Sequence, residues 1–197
     1  MNPRRLKLTL LLASILLSGI IFLAWTQQWF SITLDDGPVL EVDGDVGAPA
    51  VSTLALTGLV LIGALAIAGP FFRAVLGVLQ ALLGATIVLS GVLALMDPVA
   101  ASSAVITDAT AVAGKEAVAG MVASAATTAW PWISTISGAL LAVLGVVVLL
   151  TGRLWPGSSR KYSAVRTRTV GGGDPVEDWD SLSSGEDPTR EDQTRQT

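Results

Sequence analysis

Between Leu8 and Gly152 the chain holds four long stretches almost free of charge, and the lysines and arginines bordering them share one side if every stretch crosses a membrane. A helix rises about 1.5 Å per residue, so roughly 20 apolar residues cross a hydrocarbon core of about 30 Å. The stretches cover about 8–25, 51–69, 74–96 and 132–152, and none needs a charge at mid-bilayer. The pattern predicts an all-α membrane protein, a four-transmembrane-helix bundle over 1–152. Loops 26–50 and 97–131 lie on one side, and 153–197 forms a disordered cytoplasmic tail.

Orientation follows from the basic residues, because short basic loops resist translocation. Arg4, Arg5 and Lys7 precede the first span, Arg73 lies between the second and third, and Arg153, Arg160, Lys161, Arg166 and Arg168 follow the fourth. The opposite loops carry Lys115 against Asp35, Asp36, Glu41, Asp43, Asp45, Asp97, Asp108 and Glu116. A multi-pass protein of the plasma membrane with both termini cytoplasmic is expected. The first span also has the basic-then-apolar order of a signal peptide, yet Trp25-Thr26-Gln27-Gln28-Trp29 offers no small-x-small cleavage site, which favours an uncleaved helix. Arg4-Arg5 is read as orientation charge in preference to a twin-arginine signal.

Composition narrows the chemistry. At 197 residues, 51% hydrophobic and 14% charged, the chain has room for one small bundle and a polar tail, without a separate soluble enzyme domain. It contains neither His nor Cys, which removes thiolate nucleophiles, disulfides, imidazole bases and the usual soft metal ligands. No catalytic, cofactor-binding or metal site is expected, and the protein is read as not an enzyme. The net charge of −4 averages acidic loops, a basic inner rim and an acidic tail. That rim suits anionic lipid at about 1 kcal/mol per basic residue. The expected partners are the lipid bilayer and a cytoplasmic protein, with no nucleic acid.

The first loop reads as a hairpin: 29–34 and 38–42 are strand-like runs around Asp35-Asp36-Gly37, whose residues tolerate positive φ. The alternative is an unstructured acidic loop. In the second loop, 108–128 is compatible with a weakly amphipathic helix on the bundle, Lys115 and Glu116 facing water, or with a segment entering the membrane surface.

Glycines give a packing pattern. Gly77, Gly84 and Gly91 in the third span, and Gly138, Gly145 and Gly152 in the fourth, recur every seven residues. That interval keeps a residue on one seam of a left-handed helix pair, and glycine there lets backbones approach. Two facing seams between these antiparallel spans are predicted, an arrangement that also serves a homo-oligomer. Trp25, Trp29, Trp130, Trp132 and Trp155 flank the span ends, where indole rings anchor at headgroups; the first four alternatively form an external aromatic site. Gln80 has the greatest hydrogen-bonding capacity of the intramembrane side chains.

The tail lacks the apolar surface needed to fold alone. Within it, Trp179 and Leu182 stand three residues apart among acids in 177–189, which ends Gly-Glu-Asp187-Pro188-Thr189. An aromatic and a leucine at that spacing suit a short partner-docking helix, against the alternative of a featureless solvated tail.

The elements Gly152-Arg153-Leu154-Trp155-Pro156, Ser159-Arg160-Lys161-Tyr162 and the 179–189 tail resemble the actinobacterial tryptophan-biosynthesis-associated membrane proteins, also called the tryptophan-operon conserved hypothetical family. The resemblance spans the whole chain and implies a link to tryptophan-biosynthesis genes, with no established activity. Two function classes follow. One is an adaptor tethering a cytoplasmic partner through Trp179, Leu182, Asp187 and Pro188. The other is a small transport or efflux component for tryptophan, indole or a related aromatic, using Gln80 and the tryptophans of the loop side.

Overall fold

The computed structural model describes residues 3–35 and 37–155. Helix α1 (Pro3–Trp25) is followed by strands β1 (Gln28–Leu34) and β2 (Val39–Asp43) and the short α2 (Gly44–Gly47). The long helices α3 (Ala50–Ile67) and α4 (Pro70–Met96) come next, then α5 (Pro98–Ala101), α6 (Ser103–Thr110), α7 (Lys115–Ala119), β3 (Val122–Thr127) and α8 (Trp130–Thr151). A 3-10 turn, Gly152–Leu154, follows α8.

Helices α1, α3, α4 and α8 are the four long and apolar enough to cross a membrane. Breaks between them have local causes. Ala68 adopts an extended conformation, and Pro70, at the first position of α4, needs no intrahelical N–H partner. Proline plays the same part at the start of α5 and α8. Around the bundle, α8 packs most extensively on α4 and then on α1, α1 packs on α3, and α3 packs on α4. Hence α1 faces α4 across one diagonal. Large side chains such as Leu12, Leu16, Leu82, Leu89, Leu140 and Val143 point outward, as expected where lipid is the solvent.

The loops between the spans build a folded cap at one end. The hairpin forms with β1 and β2 antiparallel, and β3 adds to the other side of β1, giving the order β2-β1-β3. A register shift between Gln28 and Phe30 turns the consecutive Trp29 and Phe30 both inward, where strict alternation would expose one. Thr128 ties the sheet to the start of α8, its N–H donating to Trp29 O at 2.9 Å and its Oγ1 to Gln28 O at 2.7 Å. The expectation of one continuous helix over 108–128, surface-bound or membrane-entering, is corrected here. The segment divides into the end of α6, α7 and β3, because β1 offers a free edge whose hydrogen bonds outweigh the weak strand preference of Ala and Ser. The buried core is continuous from the cap into the bundle, through Trp29, Phe30, Ile32, Val42 and Ile106 to Ile87, Leu83 and Leu141.

Candidate functional site

At the end of the bundle holding the described N-terminal residues and the end of α8, Arg73, Lys7 and Trp155 form a compact cluster. Phe71 and Phe72 take the lipid-facing positions of the first turn of α4, which directs Arg73 inward until only 3% of it is exposed. Its Nη1 donates to the carbonyls of Gly152 and Trp155, each at 3.2 Å. The Gly152 oxygen caps the end of α8, where carbonyls have no intrahelical donor and a cation complements the helix dipole, and the Trp155 oxygen follows the 3-10 turn. The guanidinium also lies over the Trp155 ring, 5.4 Å from its centroid, and the Lys7 ammonium stands 6.0 Å from the same ring. Lys7 Nζ donates to Ala66 O at 2.7 Å, fastening α1 to the end of α3. Trp155 is thus buried inside the cluster.

The glycine positions lie between α4 and α8. A Cβ added at Gly84 would collide with the Ala142 backbone nitrogen and come within 2.6 Å of Gly138 O; at Gly145 it would meet Ala81 N at 2.5 Å. Gly91 faces the Thr135 hydroxyl, Gly77 faces Gly145 O at 3.1 Å, and Gly138 faces the Ile87 side chain at 2.7 Å. Gly152 is set apart, 3.4 Å from the Arg73 Cβ, within the cationic cluster.

Gln80 is buried on the bundle diagonal, where its Nε2 donates to Ser14 Oγ of α1 at 2.9 Å. Its Oε1 is buried without a hydrogen-bond partner, as is Ser18 Oγ one helical turn along α1 from Ser14.

The cap-side tryptophans occupy different settings. Trp29 is wholly buried and its Nε1 donates to Ala24 O at 2.7 Å. Trp25 stacks at a tilt on Phe22, with ring centroids 5.7 Å apart, and Trp130 packs against the same core. Trp132 is 54% exposed, as an interfacial ring would be. Gly44 explains how the chain passes Trp29: a Cβ there would lie 2.5 Å from Trp25 O and 2.6 Å from Trp29 Nε1.

A cleft of about 510 Å³ opens among α5, α6 and α7. Asp97 and Lys115 form an ion pair at 3.2 Å on its lining, with Val99, Val118, Ser103 and Thr107 also contributing. Asp97 caps α5 by accepting from Ala100 N at 3.0 Å. That backbone N–H, and then the Lys115 ammonium, hold its carboxyl below the ordinary carboxylate range.

Sequence reasoning passed over three of these features. Arg73 entered it only as an orientation charge, although its place beside two phenylalanines marks it as the inward residue. Asp97 and Lys115 stand far apart in sequence, and no local spacing announces their pairing. Gly44 sits in Asp43-Gly44-Asp45-Val46-Gly47, whose small residues between acids were legible but whose tryptophan neighbour was not. Trp179, Leu182, Asp187 and Pro188, expected to dock a partner, lie outside the described residues.

No curated protein and no solved structure matches the chain. A family model, described as tryptophan-associated transmembrane protein, matches residues 11–189, from within α1 through the tail motif. The chain belongs to the tryptophan-associated transmembrane protein family.

Proposed function

We propose that the protein is a non-enzymatic membrane adaptor, its termini cytoplasmic, whose C-terminal tail recruits a soluble partner of tryptophan synthesis to the plasma membrane. The observation carrying this reading is the extent of the family match, which continues past the bundle to Thr189 and takes in the whole docking segment. A bundle acting alone has no need of that segment. The Arg73 cluster fits the same reading, because it holds Trp155, which precedes the docking segment in sequence, against the end of the bundle.

The test is photocrosslinking in native cells from a reactive residue replacing Trp179, followed by mass spectrometry. Capture of a tryptophan-pathway enzyme, lost in Leu182→Asp, is the expected result. Capture no greater than from a scrambled tail discards the adaptor.

A second reading, flux of a small aromatic through the bundle, is favoured by the unpartnered Oε1 of the buried Gln80. It separates cleanly from the first. Deleting 174–197 leaves flux intact under this reading, while Gln80→Leu or Trp132→Ala impairs it; under the adaptor reading the deletion abolishes function.

A further inference from the structure

We infer that the cleft among α5, α6 and α7 binds the head of a zwitterion, an ammonium and an anionic group a few bonds apart, with an apolar portion against the cleft wall. Four observations combine. The cleft, at about 510 Å³, falls within the range of small-molecule sites. Its lining carries one acid and one base, Asp97 and Lys115, so a net-neutral ligand with both charges leaves neither unmatched. A purely anionic ligand would face Asp97, and a purely cationic one Lys115. The hydroxyls of Ser103 and Thr107 stand one turn apart on α6 and make no hydrogen bond to another described residue, whereas Ser102 and Thr110 beside them bond back to backbone carbonyls four residues earlier. Finally, Val99 and Val118 supply an apolar surface next to the charges.

The ion pair is suited to exchange. Lys115 is 80% exposed and Asp97 44%, and exposed pairs contribute little to stability, so opening the pair costs little. Asp97 Oδ1 keeps its bond to Ala100 N, which holds the carboxylate in place while Oδ2 is handed from Lys115 to the ligand ammonium. The released Lys115 then meets the ligand anion. The α6–α7 loop leading into Lys115, the first residue of α7, is shaped by the two positive-φ residues among those described, Ala111 at 56° and Gly114 at 109°.

Two sources present this chemistry, a free amino acid and an ethanolamine phospholipid headgroup. Calorimetric titration of the full chain in phosphatidylcholine nanodiscs, whose quaternary ammonium has no N–H, uses L-leucine and L-tryptophan as probes. Saturable binding is expected. It weakens at least about tenfold for N-acetyl-L-leucine and L-leucine methyl ester, and in Asp97→Asn and Lys115→Gln, since each change removes one charged pairing. Asparagine still caps α5, and unchanged melting of both variants separates lost binding from lost fold. If the headgroup is the occupant, ethanolamine lipid competes with the amino acids and stays on the purified protein in native mass spectra, less so in the two variants. Blocked and free amino acids binding alike overturns the proposal. So does the absence of both titratable heat and variant-sensitive ethanolamine lipid.

Discussion

Arg73 and Trp155 are joined in two ways: the guanidinium donates to the Trp155 carbonyl at 3.2 Å and lies over its indole ring at 5.4 Å. Residues 82 positions apart are thereby closed into one contact at the point where α8 gives way to the tail. In a low-dielectric setting such a charge-assisted bond is stronger than in water, and its loss leaves acceptors unsatisfied.

Arg73→Ala is expected to destabilise the bundle by about 1.5–3 kcal/mol, the range for a hydrogen bond to a charged group. Arg73→Lys is expected to recover part of this, since an ammonium reaches a carbonyl but lacks the planar fork. Reversible unfolding in mixed micelles measures both; a neutral Arg73→Ala would mean the cluster holds nothing.

Gly84→Ala is expected to cost about 1–3 kcal/mol by overpacking, because its new methyl meets the backbone of α8 and no flexible side chain is there to yield. Gly63→Ala, with nothing within 4 Å of the added Cβ, is expected to be neutral or slightly stabilising through helix propensity. The two variants carry the same chemical change, so the difference between their melting temperatures isolates the α4–α8 contact.

Gly44→Ala is expected to dislodge Trp29, against whose indole nitrogen the new methyl would press, while leaving the spans helical. Intrinsic tryptophan emission should shift to longer wavelength with far-ultraviolet circular dichroism nearly unchanged. Unshifted emission would show that the cap absorbs the methyl elsewhere.

Asp97 gives the cap a dependence on acid. Its carboxyl is held below the ordinary range, first by Ala100 N–H and then by Lys115, so the folded state binds its proton less readily than the unfolded chain. The contribution to stability is therefore present above the unfolded value of about 3.9 and is lost as pH falls through the lower folded value. Protection of the Ala100 and Ala101 amides against hydrogen exchange, taken relative to the intrinsic rate at each pH, is expected to fall on acidification through and below that point. In Asp97→Asn this acid step should vanish; its persistence would assign the step to another carboxylate.

The four spans were legible because lipid demands long uncharged runs, and the hairpin because Asp35, Asp36 and Gly37 interrupt two strand-like runs. Strand β3 was not legible. Its Val-Ala-Ser-Ala-Ala-Thr sequence has neither bulk nor alternation, and it becomes a strand because β1 lies beside it. The glycine period of seven was visible, whereas the partner of each glycine, such as Ala142 for Gly84, depends on how far α4 and α8 slide along each other. Trp155 shows a further limit: an indole next to basic residues reads the same whether its ring is open to its surroundings or packed between Lys7 and Arg73. Pairing across the fold, as for Asp97 with Lys115, appears only once α4 and α7 are in place.

The central place of β1 sets an order of assembly. Its partner on one side follows at once in the chain, but its partner on the other arrives only after α3 and α4, with Thr128 closing onto Gln28 across 100 positions. During synthesis the first hairpin therefore waits with one edge bare while two further helices enter the bilayer. Closure of the sheet then records that α3 and α4 have been threaded, so a chain stalled or mis-inserted after α3 displays an open strand edge, the kind of surface that quality-control chaperones and proteases seize.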